Sequence, residues 1–175
     1  MNLPNILSVS RILLLPLVIF LFESGFYLSC VTTYIIASIT DFLDGYLARQ
    51  NDQTSDLGAL LDLLADKLFV SILLIWMTYE FKSLLILIVS ILIISREISI
   101  SYLRLFVVSK SKELKEVNSN SIGKYKTAFQ MIGLGLILIT PITPNFILNL
   151  SLILISVSAI ISWYSFLKYL NEWIV

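Results

Sequence analysis

An all-α bundle of six membrane-crossing helices, forming one domain over residues 1–175, is the fold this sequence predicts. Three observations predict it. Of the 175 residues, 58% are hydrophobic and 14% charged, with a mean hydropathy of +0.92; soluble domains carry about a quarter charged residues. Apolar runs long enough to cross a bilayer, which takes roughly 17–25 residues, recur along the chain. Short polar breaks separate these runs, and neither an internal repeat nor a composition shift sets off a soluble domain.

Met1–Ser10 (MNLPNILSVS) is an interfacial lead-in, with Pro4 suited to a first helical turn. The first span covers Ile6–Phe22 and carries Arg11 on its inner portion. It lacks a basic stretch before the apolar run and a small-residue cleavage site after it, so it reads as a retained helix. After the break at Glu23-Ser24-Gly25, a second span runs from Phe26 to Arg49. Its single cysteine, Cys30, excludes an intramolecular disulfide and reads as a small packing residue. Asn51–Ser55 is a polar loop, and Asp56 is placed to cap a third helix that runs to Tyr79. Glu80–Ser83 turns the chain into a fourth span, Leu84–Val108, which holds Arg96, Glu97 and Arg104. In the polar loop Ser109–Ser121, Lys110, Lys112 and Lys115 alternate with Glu113 and Glu116, the pattern of a solvated run. The fifth helix, Ile122–Thr140, opens on Gly123-Lys124-Tyr125-Lys126, and Pro141 and Pro144 bracket the turn into the sixth, Phe146–Tyr169.

Six spans put both termini on one side. Arg49, Lys110, Lys112, Lys115, Lys124, Lys126 and Lys168 fall on that side, against Lys82 alone in a loop on the other. Basic residues concentrate on the cytoplasmic side of membrane proteins, so the termini, the polar loops and the charged helix ends are expected there.

The stretch from Asp41 to Asp66 organises the chain. Asp41, Gly45 and Arg49 stack along one line of a helix, with Asp44 and Ala48 beside it; Gly58, Asp62 and Asp66 form the same ladder on the next helix. If these helices pack side by side, four carboxylates converge. Charges of one sign at that spacing do not all stay ionised without a cation. An ionisable group at the centre of a spanning helix costs about 3 kcal/mol, which argues against a purely structural quartet. All-oxygen ligands and the absence of histidine favour Mg²⁺ or Mn²⁺, as one ion or two. Arg49 offers a planar donor fork suited to phosphate, or alternatively an interfacial anchor. Gly45, Gly58 and Ala48 allow either close helix approach or room for a ligand.

Asp41-x-x-Asp44-Gly45-x-x-Ala48-Arg49, eight residues, Gly58-x-x-x-Asp62-x-x-x-Asp66 is identified as the full signature of the CDP-alcohol phosphatidyltransferases. These are integral membrane enzymes that move a phosphatidyl or similar group from a CDP-linked donor to an alcohol. The resemblance implies that Asp41, Asp44, Asp62 and Asp66 bind metal, most simply two ions, and that Asp66 also takes the proton of the attacking alcohol. It implies contact with the CDP-linked donor by Gly45, Ala48, Arg49 and Ser55.

A second basic group consists of Arg96 and Arg104, eight apart on one side of the fourth helix, and Lys124 and Lys126 at the start of the fifth. Helix N-termini favour anions, so together these cations suit the phosphate of an anionic acceptor; snorkelling to the interface is the alternative for Lys124 and Lys126. Glu97 or an aspartate is the expected partner of Arg96. The stretches MNLPNILSVSRILLLPL, ISREISISYLR and NSIGKYKTAFQM further resemble the bacterial members of the family whose acceptor is sn-glycerol 3-phosphate. Their donor is CDP-diacylglycerol, and their products are phosphatidylglycerophosphate and CMP. That resemblance implies a homodimer in the bacterial inner membrane. Leu63 stands where many such enzymes have proline, which removes no ligand. The absence of histidine excludes a phosphohistidine intermediate, leaving direct displacement as the simpler route. Related acceptors, inositol phosphate or phosphatidylglycerol, remain open. So does a cation or proton transporter, although the outer helix halves lack the polar path that transport needs.

Overall fold

A computed structural model describes residues 3–50, 56–110 and 121–174, with side chains at 10–40, 64–103, 106 and 126–171. Six helices follow one another: α1 (Leu3–Glu23), α2 (Tyr27–Gln50), α3 (Asp56–Phe81), α4 (Leu84–Lys110), α5 (Ser121–Ile139) and α6 (Asn145–Ile174). A 3₁₀ turn, Thr140–Ile142, joins the last two. There is no strand among the described residues. The ends differ slightly from those the sequence suggests: α1 starts at Leu3 and α6 continues beyond Tyr169 to Ile174.

Two stretches, Leu84–Leu103 and Asn145–Asn171, are long and apolar enough to cross a membrane. Tyr27–Thr40 and Lys126–Ile142 are shorter apolar stretches. The all-helical bundle is as expected, and among the described residues two of its six helices are long and apolar enough to cross a membrane. α2, α3 and α5 each carry charged residues.

The bundle buries several polar side chains and turns large apolar ones outward, a departure from the usual soluble pattern. Arg11, Ser90, Arg96, Lys126, Gln130, Ser151, Ser158 and Ser162 are buried, whereas Leu13, Phe20, Ile75, Ile91 and Ile160 face outward. A tightly filled apolar core, including Val18, Ala37, Leu73, Met77, Ile137 and Ile155, sits between the helices. Neighbouring helices are α1 with α2 and α3, α2 with α5, α3 with α4, and α6 with α4 and α5. Cys30 packs inside this core and donates to the Val18 carbonyl at 3.3 Å, as a small packing residue should.

The turn from α1 to α2 is a left-handed glycine cap. Gly25 has φ +78, its amide donates to the Phe22 carbonyl, and the Phe26 amide reaches back to that of Leu21, both at 2.9 Å. The opposite close approach is at Gly133, where α5 meets α6. A Cβ there would lie 2.6 Å from Ile155 Cγ2 and 3.2 Å from the Ile155 amide nitrogen. Small residues permit such contacts between membrane helices. Gly133→Val should therefore wedge α5 from α6 and cost about 1–3 kcal/mol. A lowered melting temperature of the purified protein in detergent would register it, and an unchanged one would contradict this packing.

Candidate active site

α2 and α3 meet through Tyr34 and Phe69, whose rings stack 5.9 Å apart. The tyrosine hydroxyl donates to the Met131 carbonyl at 2.9 Å, tying α5 to the same point. The stacked rings bring α2 and α3 together at this point. Seven residues nearer to residues 51–55 along the chain, two helical turns, lie positions 41 on α2 and 62 on α3. Eleven residues nearer lie Gly45 and Gly58. Residue count alone puts the two aspartate ladders at equal distances along the chain from that contact. An all-oxygen donor set on these positions fits a hard divalent cation. Metals bind carboxylates best when several converge, and Asp66 is the member of the quartet whose side chain is described. Among the described residues no group of three or more metal-ligating side chains forms.

The site residues expected from sequence divide accordingly. Asp41, Asp44, Asp62, Gly45, Ala48 and Arg49 lie on helical backbone, with side chains outside the described set; so do Arg104 and Lys124. Ser55 lies outside the described residues altogether, as does most of the Ser109–Ser121 loop. Asp66, Arg96 and Lys126 are described: Lys126 shares one ionic group with Arg96 and one cavity with Asp66.

Glu97 on α4 links Arg96 and Lys126. One carboxylate oxygen accepts from Arg96 Nη1 at 2.9 Å and from Lys126 Nζ. The sequence had offered Glu97 as a partner for Arg96, and the pair forms. Arg96 Nε turns away, donating to the Ser162 carbonyl of α6 at 3.2 Å. Lys67 Nζ on α3 donates to Ser101 Oγ and, at 3.4 Å, to the Glu97 carbonyl. Ser158 Oγ on α6 donates to the Lys126 carbonyl at 3.0 Å. Four helices therefore hold one buried ionic group, which compensates charges that would be costly in hydrocarbon singly.

Beside this group lies a cavity of about 50 Å³, lined by Asp66, Lys67, Val70, Ser71, Glu97, Lys126, Thr127, Gln130 and Met131. Asp66 is near enough to Lys126 to act on its charge. Arg96 does not line the cavity; its described contacts are with Glu97 and Ser162. The sequence reading missed Lys67, Ser71 and Gln130. Helical spacing contained the signal: Gln130 is one turn after Lys126, and Ser71 one turn after Lys67.

A model of the CDP-alcohol phosphatidyltransferase family matches residues 1–167. A protein of Pseudomonas fluorescens named CDP-diacylglycerol–glycerol-3-phosphate 3-phosphatidyltransferase is 34% identical over 174 residues, covering 98% of this chain and 89% of its own. A Haemophilus influenzae protein of the same name is 37% identical over 177 residues, covering 97% of this chain and 92% of its own. A third, from Pectobacterium atrosepticum, is 32% identical over 173 residues, covering 97% and 93%. The match takes in the aspartate signature, the Glu97 network and the cavity together. This chain belongs to the CDP-alcohol phosphatidyltransferase family, a family of transferases.

Proposed function

We propose that the protein transfers the phosphatidyl group of CDP-diacylglycerol to sn-glycerol 3-phosphate, giving phosphatidylglycerophosphate and CMP. The observation that carries this reading is the meeting of Asp66 and Lys126 at one polar cavity within an apolar bundle. The names of the near-full-length relatives support the same donor and acceptor. All six helices cross the membrane in this reading, since even α5, with 19 residues, spans about 28 Å at 1.5 Å per residue. By the positive-inside rule the polar loops and both termini face the cytoplasm, where water-soluble acceptor and CMP exchange. The membrane is the bacterial inner membrane, and the protein acts as a homodimer, both on the strength of the resemblance.

Donor and acceptor occupy adjoining subsites. Asp41, Asp44, Asp62 and Asp66 would hold two Mg²⁺ or Mn²⁺ ions, which would supply positive charge to offset that of the donor pyrophosphate. Gly45 and Ala48 leave room for the nucleotide, and Arg49 and Ser55 contact the donor. Lys126, with Lys124 a half-turn nearer the cytoplasm and Arg104 on α4, receives the acceptor phosphate. Arg96 supports them by holding Glu97. Asp66 accepts the proton of the acceptor hydroxyl. The oxygen attacks the lipid-side phosphorus, and the bond from that phosphorus to CMP breaks in one displacement.

The purified protein should release CMP from CDP-diacylglycerol only when sn-glycerol 3-phosphate is present. Removing a cation from a phosphate contact weakens that ligand by about 1–3 kcal/mol. Lys126→Met should therefore raise the KM for the acceptor roughly 5- to 150-fold while leaving the KM for the donor little changed. CMP release driven by inositol phosphate or phosphatidylglycerol, and not by glycerol phosphate, would reassign the acceptor. A Lys126 variant that loses donor affinity alone would place the acceptor subsite elsewhere.

A further inference from the structure

We propose that Gln130 reads the hydroxyl group beside the attacking one on the acceptor, and so selects a vicinal diol over a simple alcohol. The proposal deepens the acceptor assignment above and rests on it.

Gln130 is 5% exposed, yet its side chain borders the cavity. Its carboxamide makes no hydrogen bond with any described residue, whereas most buried polar groups around it are engaged. Ser90 donates to the Leu74 carbonyl, Ser158 to that of Lys126, and Arg96 to that of Ser162. The Ser162 hydroxyl also lacks a partner, but it does not border this cavity. An amide inside a membrane bundle is costly without a partner. A carboxamide facing a polar cavity is satisfied by whatever fills the cavity, water when it is empty and ligand when it is occupied.

The position of Gln130 limits what that ligand group is. It lies one helical turn beyond Lys126 on α5, away from the charged mouth. Val70, Ser71 and Met131 line the same inner part, so no further cation meets a ligand there. With the acceptor phosphate at Lys126 and the attacking hydroxyl at Asp66, the remaining polar group on a glycerol phosphate is its C2 hydroxyl. A hydroxyl both donates and accepts, and a carboxamide offers both functions on one side chain. The volume of about 50 Å³ holds three to five water-sized groups at roughly 10–15 Å³ each. That accommodates the diol end of the acceptor while the phosphate remains at the mouth.

The test compares sn-glycerol 3-phosphate with propane-1,3-diol monophosphate, which keeps the attacking hydroxyl and the phosphate and lacks the C2 hydroxyl. The wild-type protein should prefer glycerol phosphate by about 10- to 100-fold in kcat/KM, the range expected when a buried polar group loses its partner. Gln130→Met preserves length and removes the amide. It should narrow the preference to within about threefold, mainly by losing activity on glycerol phosphate. Equal use of both acceptors by the wild-type protein overturns the proposal without any variant. So does a Gln130→Met protein that keeps the full preference, or one that loses activity on both acceptors in equal proportion, which marks a packing role. A wild-type protein that releases CMP with neither compound overturns the acceptor assignment itself, and this proposal with it.

Discussion

Asp66→Asn should lower kcat by about 10²- to 10⁴-fold, the usual contribution of a positioned general base, while binding of CDP-diacylglycerol stays measurable. The side chain borders the cavity beside Lys126 and Gln130. Asparagine keeps the shape and one oxygen but has no basic site for a proton. The expected signature is a fall in kcat larger than any change in the donor KM, because the lost interaction belongs to the transition state. Steady-state kinetics with each substrate varied in turn, and equilibrium binding of donor to the variant, separate the alternatives. Retention of kcat within about threefold would assign the base to another group. Joint loss of turnover and donor binding would mark Asp66 as a metal or donor residue only.

Excess chelator should reduce CMP release to background, and Mg²⁺ or Mn²⁺ should restore it. The physical reason is the aspartate quartet. In the proposed site Asp41, Asp44, Asp62 and Asp66 converge, and uncompensated carboxylates at close spacing repel. Metal binding should also raise the melting temperature, since a ligand that binds the folded state alone at 100 times its Kd stabilises it by about 2.7 kcal/mol. That second readout is independent of turnover. Full activity in excess chelator, with no thermal shift on adding metal, would eliminate the metal from this reading.

The helical backbone under the aspartate ladders was legible in local spacing: three- and four-residue steps place residues on one helix face without tertiary information. The turns were legible for the same reason, with Gly25 in a left-handed conformation, Pro141 inside a 3₁₀ turn and Pro144 just after it. The ionic group was only partly legible. Arg96 and Glu97 are neighbours in sequence, and their pairing was anticipated. The contact of Arg96 with Ser162, 66 residues on, was not, and it directs the guanidinium toward α6. The last helix looked featureless because its message lies in serines scattered through leucine and isoleucine. Ser151, Ser158 and Ser162 share one buried face, seven and four residues apart. Gln130 was overlooked because a single amide in an apolar run gains meaning only from the cavity beside it.

The Arg96–Glu97 pair also has a consequence for biogenesis. Chains enter the membrane in order of synthesis, and α4 precedes both Lys126 on α5 and Ser162 on α6. A lone arginine or glutamate in that helix would burden its insertion. Because the two neutralise each other within α4, its apolar stretch Leu84–Leu103 carries no net charge before later partners arrive. Lys126 then joins the carboxylate when α5 arrives, and the Ser162 carbonyl caps the guanidinium once α6 is in place. The charges that the finished site displays are thus sheltered pairwise at each stage of assembly, and the last helix made is the one that locks them.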